Sequence, residues 1–147
     1  MAIQFFNEKI SFPFTDKAKY KKWIAAVIIA EGKTGGGISY IFCNDAYLLQ
    51  LNKKYLKHST LTDIITFDHS ESYPNLPQGK KLIQGDIFIS LERIKENASK
   101  YKSTFKNELS RVIVHGVLHL LGYKDKTEKD KKRMRGKEEE YIKLLIA

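Results

Sequence analysis

The sequence predicts an α+β fold: a single domain, residues 1–147, with a small mixed four-stranded sheet and about five helices around it. Short segments rich in β-branched and aromatic residues alternate with longer segments whose apolar residues recur every three or four positions. The predicted helices cluster towards the C-terminal end, and no repeat or low-complexity linker divides the chain. A length of 147 residues is that of one ordinary domain.

The N-terminal segment predicts a strand followed by an amphipathic helix. Ile3–Phe6 is a short strand, and a helix follows over 17–31 with Asp16 or Thr15 as its N-cap. The residues at helical spacing that face the core are Tyr20, Trp23, Ile24, Val27 and Ile28.

A glycine run and a second strand-helix pair come next. The run Gly35-Gly36-Gly37 is expected to be a turn that ends the first helix, and not a phosphate loop, because it follows a helix and precedes a strand. Ile38–Cys43 is rich in β-branched and aromatic residues and predicts the second strand. Asn44 or Asp45 then caps a helix that runs to about Leu56.

Two more strands and two more helices are predicted in the second half. Thr62–Phe67 and Leu82–Ser90 are strands, separated by the excursion Tyr73–Gly79, which contains proline and glycine. A helix is expected over 91–100, and a longer one over 104–121. The longer helix carries an apolar stripe formed by Phe105, Leu109, Val112, Ile113, Val117, Leu120 and Leu121.

Local signals define the ends of the last two helices. Ser103 or Thr104 is the predicted N-cap of the helix over 104–121, and Gly122 is its C′ residue. Thr127 and Asp130 resemble a capping box that opens a final helix. The residues of that helix expected to dock on the core are Met134, Tyr141, Ile142 and Leu145.

The residues with the clearest chemical meaning are His115 and His119, which are followed by a carboxylate at Asp125. Residues at i and i+4 lie on one helical face about 5–6 Å apart, close enough for two imidazoles to bind one metal ion. A bare pair of histidines at this spacing is more often two boundary residues of an amphipathic helix. The turn at Gly122 and the carboxylate beyond it favour a metal site, so both interpretations stay open on the residues alone.

Two residues beside this pair refine the chemistry. Gly116 stands where the zinc peptidases with a His-Glu-x-x-His motif carry their general base, which disfavours a peptidase of that type. Glu108 lies seven residues before His115 on the same helix face. It is predicted either to hydrogen-bond the second nitrogen of a metal ligand or to form an ion pair with Arg111.

The charge balance indicates an acidic partner. The chain has 26 Lys and Arg against 17 Asp and Glu, a net charge of +9, although a soluble protein can be basic without binding a polyanion. Eight cationic residues occur from Lys124 to Lys137, directly after the histidine pair: Lys124, Lys126, Lys129, Lys131, Lys132, Arg133, Arg135 and Lys137. A polyanion bound there would be delivered to the metal.

The sequence also predicts a location. The segment Met1 to Phe14 lacks a secretory signal pattern, and the longest apolar stretch, Trp23 to Ala30, is too short to span a membrane. Cys43 is the single cysteine and lies in a strand pattern, so no disulfide partner is expected and the thiol is predicted to be buried. We expect a cytoplasmic protein with no membrane partner.

Three blocks of this sequence resemble the YbeY-type bacterial endoribonucleases, which are also called ribosomal RNA maturation factors. His115-Gly-Val-Leu-His-Leu-Leu-Gly-Tyr-Lys-Asp125 is similar to the family signature His-Gly-x-Leu-His-Leu-x-Gly-Tyr-Asp-His. Leu51–Tyr55 with Thr62–Phe67 is similar to a second family block, and Gly85–Ser90 to a third. Order and spacing agree across nearly the whole chain.

The resemblance implies a function and a metal. One Zn²⁺ per chain would be held by His115, His119 and Asp125, in a single-strand-specific endoribonuclease acting in ribosomal RNA maturation and ribosome quality control. Its partners would be ribosomal RNA and the small ribosomal subunit. The main alternative is a non-catalytic ribosome assembly factor with a structural metal. Another metal-dependent hydrolase, acting on a small ester or amide, is a third.

The chain departs from the family pattern at three positions. Asp125 replaces the third histidine, and Lys124 replaces the preceding aspartate. A carboxylate keeps a zinc site while favouring harder metals such as Mn²⁺. Leu56 stands where the family has an arginine, so that phosphate contact is not carried over. The substrate-binding candidates are instead lysines: Lys53, Lys54, Lys57 and Lys124.

Two acids in the family blocks, Asp63 and Asp86, are open to two interpretations. Each carboxylate is expected to have one of two roles. It forms a hydrogen bond with a turn or with the end of a neighbouring helix, or it lines the cleft.

Overall fold

A mixed four-stranded sheet forms the centre of the computed structural model, which describes residues 2–57, 60–70 and 82–146. The strands are β1 (Ala2–Asn7), β2 (Thr34–Cys43), β3 (Ile64–Asp68) and β4 (Leu82–Ser90). Their spatial order is β1-β2-β4-β3. Strands β1, β2 and β4 are parallel, and β3 is antiparallel to β4 at one edge. The predicted α+β fold with a mixed sheet is therefore confirmed.

Five α-helices surround the sheet in the described part of the chain. They are α1 (Lys17–Ala30), α2 (Asp45–Leu51), α3 (Leu91–Lys100), α4 (Phe105–Leu120) and α5 (Glu128–Ile146), with a π-helical turn at Asn52–Leu56 directly after α2. The predicted excursion Tyr73–Gly79 lies outside the described residues. Among the helices described, none combines the length and the apolar character needed to cross a membrane.

The main core lies where α1 and α4 pack against one face of the sheet, with α5 packed on both of these helices. Polar atoms within it are paired: the Tyr40 hydroxyl donates to the Ile113 carbonyl at 2.9 Å, and the Trp23 indole donates to the Tyr141 carbonyl at 2.7 Å. A smaller cluster on the opposite face, under α2, is formed by Cys43, Leu48 and Ile65. Burial raises the pKa of the Cys43 thiol to about 12, as expected for an inert structural cysteine.

The glycine run is part of β2 and not a turn, so that prediction was wrong. Helix α1 ends before it, and Gly32 takes the left-handed conformation, φ +73°, just beyond the helix. The pairing of β2 with β4 changes register between Gly35 and Ile38. A Cβ on Gly36 would lie 2.4 Å from the Gln84 side chain, so a larger residue at this bulge would require the glutamine side chain to move. Glycine is rare in strands, which hid the strand start in the sequence.

The predicted ends of α4 and the predicted start of α5 are confirmed. The Thr104 side chain accepts a hydrogen bond from the backbone N–H of Asn107, and Gly122 has φ +103° directly after α4. The Thr127 hydroxyl accepts from the backbone N–H of Asp130 at 3.0 Å, which opens α5.

Two other helix ends differ from the prediction. Asp16 stands at the start of α1, but its side chain makes no capping bond and lies 3.8 Å from Lys106 Nζ instead. The α-helical part of α2 stops at Leu51, and the chain continues as a π-helical turn to Leu56. Lys57, with φ +56°, ends this turn.

Candidate metal centre and cleft

The three predicted metal ligands converge on one point. His115 Nε2 and His119 Nε2 lie 3.0 Å apart, and Asp125 Oδ2 is 3.4 Å from each of them. The point equidistant from these atoms is about 1.9 Å from each, close to the 2.0–2.1 Å typical of Zn–N bonds. The donor set and its spacing thus fit a metal ion, and no other such group of three occurs among the described residues.

Helix geometry and one turn explain this convergence. His115 and His119 are one turn apart on α4, which places both imidazoles on the same face. The left-handed conformation of Gly122 then allows the chain to reverse, and Asp125 returns over the end of the helix.

The loop that carries Asp125 is tied to two helices through Glu31. The Tyr123 hydroxyl donates to Glu31 Oε1 at 2.6 Å. Glu31 Oε2 accepts from Lys137 at 3.3 Å and from the Tyr141 hydroxyl. Burial alone would raise the pKa of Glu31, but these three donors outweigh it and lower the pKa below its ordinary value. A charged Glu31 therefore connects α1, α5 and the loop that carries Asp125.

A buried carboxylate on α5 orients the first ligand. Glu138 Oε2 lies 2.6 Å from His115 Nδ1, and its other oxygen accepts from Arg111 at 3.1 Å. A proton on Nδ1 that is donated to Glu138 leaves the lone pair of Nε2 for the metal. Burial lowers the pKa of His115, but the hydrogen bond and charge of Glu138, together with Asp125, raise it overall.

Glu138 has the role that the sequence suggested for Glu108, so that prediction was wrong. Glu108 is buried, and the ion pairs of Arg111 within the described chain go to Glu138 and Glu139. The sequence did contain a signal for Glu138. It falls at helical spacing among the apolar core residues of α5, four residues after Met134, and an acid at such a buried position requires a partner.

The second histidine is held closer to its neutral form. Burial and the neighbouring His115 lower the pKa of His119, although the charge of Asp125 opposes this shift. Metal ligation requires neutral imidazole, so a lowered pKa suits a ligand.

The ligands lie in an open cleft of about 570 Å³. Strand β3 and the end of the π-helical turn form the opposite wall, with Leu56, Asp63 and Thr66 lining it. Burial raises the pKa of the half-buried Asp63 carboxyl. The other open acid, Asp86, does not line this cleft and lies 3.2 Å from His69 Nε2.

Gly116 is explained by close packing of α4 on the sheet. A Cβ at this position would lie 2.9 Å from Ile87 Cγ2 and 3.1 Å from Ile64 Cδ1. The position faces the core and not the cleft, so a general base could not act from it.

The predicted cationic residues are divided among different surfaces. Lys53, Lys54 and Lys57 are exposed on and after the π-helical turn, next to Leu56. Lys124 lines a separate cavity with Glu31 and Arg133, whereas Lys126 lines the metal cleft. The substrate-binding role of the four predicted lysines stays a prediction.

Comparison with known proteins identifies the family. The profile of the family described as endoribonuclease YbeY matches residues 2–145. The chain belongs to the YbeY family. The protein named endoribonuclease YbeY from Flavobacterium psychrophilum is 49% identical over 140 residues, covering 95% of this chain and 94% of that protein. Its counterpart from Cytophaga hutchinsonii is 46% identical over 142 residues, with coverages of 97% and 94%.

The fold agrees with a solution structure of a Thermotoga maritima protein. The TM-score is 0.64, and the alignment covers 97% of this chain and 88% of that one, at 23% sequence identity. This similarity supports the fold alone, whereas the sequence relatives extend the YbeY family assignment over nearly the whole chain.

Proposed function

We propose that this YbeY-family protein is a metal-dependent endoribonuclease that cleaves single-stranded RNA in ribosomal RNA maturation and ribosome quality control. The observation that carries the proposal is the convergence of His115, His119 and Asp125 in a cleft open to solvent. Membership of a family whose relatives are named endoribonuclease supports the reaction class.

Zinc is the metal that the donor set favours. Two imidazoles and one carboxylate form a known catalytic ligand set for Zn²⁺, and the carboxylate also tolerates Mn²⁺. A zinc ion bound there would supply Lewis acidity towards a phosphoryl oxygen and towards water.

Residues of the chain itself provide orientation and charge. Glu138 holds the proton of His115 on Nδ1 and so keeps Nε2 directed at the ligand position. Asp63, on the opposite wall, has a carboxyl whose pKa is raised by burial, which suits a group that exchanges a proton with the substrate. Lys126 lines the same cleft and can stabilise negative charge on a bound phosphate.

An exposed apolar surface at the edge of the cleft is suited to contact unpaired bases. Leu56 lines the cleft and is 46% exposed, and the ring of its neighbour Tyr55 is also exposed. Unstacked bases bind such surfaces, whereas the bases of a duplex are not available to them.

The test is cleavage of a single-stranded RNA by metal-stripped and zinc-restored protein. His119→Ala serves as the control for a contaminating nuclease. Cleavage that returns with zinc in the wild-type protein alone would establish the activity. Zinc binding without any cleavage would reject it.

A non-catalytic ribosome assembly factor is the second candidate, favoured by Leu56 in place of the family arginine. That protein would bind zinc and the RNA of the small ribosomal subunit without cutting it. Binding of RNA by a zinc-loaded protein that leaves the RNA intact would decide for this candidate.

A further inference from the structure

A groove leaves the metal cleft between α4 and α5 and ends at the α3–α4 turn. A cavity of about 250 Å³ next to the cleft shares His115 and Asp125 with it and continues to Arg135. Arg135 also lines a third cavity, of about 500 Å³, that reaches Tyr101 and Lys102. Because neighbouring cavities share these residues, the three adjoin one another along the protein surface.

Helix α4 supplies the floor of this groove. Glu108, Arg111 and His115 recur at steps of three and four, and so lie on the same face of the helix as the metal ligands. The ten steps along the helix from Phe105 to His115 span roughly 15 Å at 1.5 Å per step. At about 3.4 Å per stacked nucleotide, and more when the strand is extended, this length accommodates a few nucleotides.

Cations that form no ion pair with a described residue lie on the rim of the groove, and the charge of one of them, Arg135, acts on the buried Glu108. Arg111 is engaged with Glu138 and Glu139, so its charge is already paired. Arg135 and Lys102 are exposed, and neither forms an ion pair with another residue in the described part of the chain. Lys131 lies one helical turn before Arg135 and lines the middle cavity.

An aromatic ring and a buried acid line the far end of the groove. Tyr101 is 63% exposed, and Lys100 Nζ lies 5.5 Å from its ring centroid. Glu108 lines the same cavity and is only 7% exposed, and its carboxyl accepts no hydrogen bond from any described residue. An acid at the floor of the groove repels phosphate but accepts hydrogen bonds from the N–H groups of a base. The base would therefore face the floor of the groove, and the phosphates would face its rim.

We propose that this groove binds the nucleotides that flank the scissile phosphate, with a base stacked on Tyr101 and backbone phosphates held by Arg135 and Lys102. The proposal rests on the endoribonuclease function proposed above and adds the path of the substrate strand. An exposed aromatic ring between cations is the combination that single-strand binders use. The groove adjoins the cleft at His115 and Asp125, so a strand bound along it would reach the metal ligands.

The experiment measures binding of a fluorescein-labelled, twelve-nucleotide 2′-O-methyl oligouridine to zinc-loaded, full-length protein. Tyr101→Leu is compared with Tyr101→Phe, which keeps the ring. Arg135→Gln is compared with Lys129→Gln, a matched loss of one charge about 120° around the same helix. Lys129 is exposed and lines neither the metal cleft nor the two cavities of the groove. A three-nucleotide probe, too short to fill both cleft and groove, is the length control.

We expect Tyr101→Leu to raise Kd for the long probe at least about fivefold and Tyr101→Phe to leave it within about twofold. Arg135→Gln should raise Kd and reduce the salt dependence by about one counterion, unlike Lys129→Gln. Two results would contradict the proposal that the groove binds RNA. One is an equal change of Kd in Arg135→Gln and Lys129→Gln, and the other is a Tyr101→Leu protein with the Kd of the wild type.

Failure of this proposal can be separated from failure of the nuclease. If the wild-type protein cleaves RNA and the groove variants bind the probe with an unchanged Kd, the proposal that the groove binds RNA is rejected and the nuclease function stands. If the groove variants bind the probe more weakly but the wild-type protein cleaves no RNA, the nuclease function is rejected and the groove proposal stands.

Discussion

His115 Nδ1 lies 2.6 Å from Glu138 Oε2, although the two residues are 23 positions apart on different helices. This contact couples the docking of α5 to the orientation of a metal ligand. The structure of the C-terminal helix therefore bears on the metal site as well as on the core.

Replacing Glu138 by Gln should weaken zinc binding by about 10- to 100-fold, the range found when a ligand loses its outer hydrogen-bond partner. Loss of the Glu138 charge also lowers the pKa of His115, so protons compete less with zinc for this imidazole. The zinc affinity of the variant should therefore begin to fall at a lower pH than that of the wild type. Zinc affinity measured by chelator competition across pH tests both effects. Glu139→Gln is the control, because Glu139 contacts Arg111 but not His115. Equal affinities of the two variants would contradict the role of Glu138.

Asp125→Ala should remove a ligand and cost at least about 100-fold in zinc affinity, and cleavage should fall with it. Asp125→His restores the family ligand and should keep both properties. Glu128→Gln, a change at an exposed acid nearby, is the charge control. A variant Asp125→Ala that bound zinc as the wild type does would remove Asp125 from the site.

Glu31→Gln should destabilise the protein by about 2 kcal/mol at neutral pH, because several donors lose a charged acceptor. The pKa of Glu31 is lowered from 4.5, so its contribution is present above pH 4.5 and is lost as pH falls through the lowered value. The difference between wild type and variant, from urea unfolding of metal-free protein, should shrink in acid. Glu140→Gln, at an exposed acid that also contacts Lys137, should show a smaller difference. A difference independent of pH would contradict this account.

Gly116→Ala should destabilise the fold by about 1–3 kcal/mol, because its Cβ would overlap Ile87 where α4 meets the sheet. The control is Gly136→Ala on α5, where a new Cβ has nothing within 4 Å. That change should be neutral or stabilise by up to about 1 kcal/mol, as expected for alanine in a helix. Thermal unfolding of both variants measures the contrast, and two similar melting temperatures would argue against tight packing at Gly116.

Leu56→Arg should restore a phosphate contact at the mouth of the cleft. The side chain is exposed, so we expect stability to change by no more than about 0.5 kcal/mol. RNA should bind more tightly, with a salt dependence steeper by about one counterion. Leu61→Arg introduces the same charge at another exposed leucine, which does not line the cleft. If the two variants gained equal affinity, the effect would be one of net charge and not of position.

Much of the fold was predictable because its signals are local. The bounds of α3 and β4, the caps of α4 and α5, and the turn at Gly122 all depend on residues within a few positions of one another. The glycine run Gly35-Gly36-Gly37 was misjudged because its place in β2 depends on pairing with β1 and β4, which lie elsewhere along the chain.

For the site, the sequence by itself determined the histidine pair, since residues four apart on a helix must share a face. It also determined Asp125 as the nearby acid after a glycine turn. Only the tertiary structure decided that Glu138 and not Glu108 supports His115, that Asp63 faces the ligands, and that Lys124 and Lys126 line different cavities. These relationships join separate elements, and their geometry depends on how helices and sheet pack, which residue spacing along the chain does not encode.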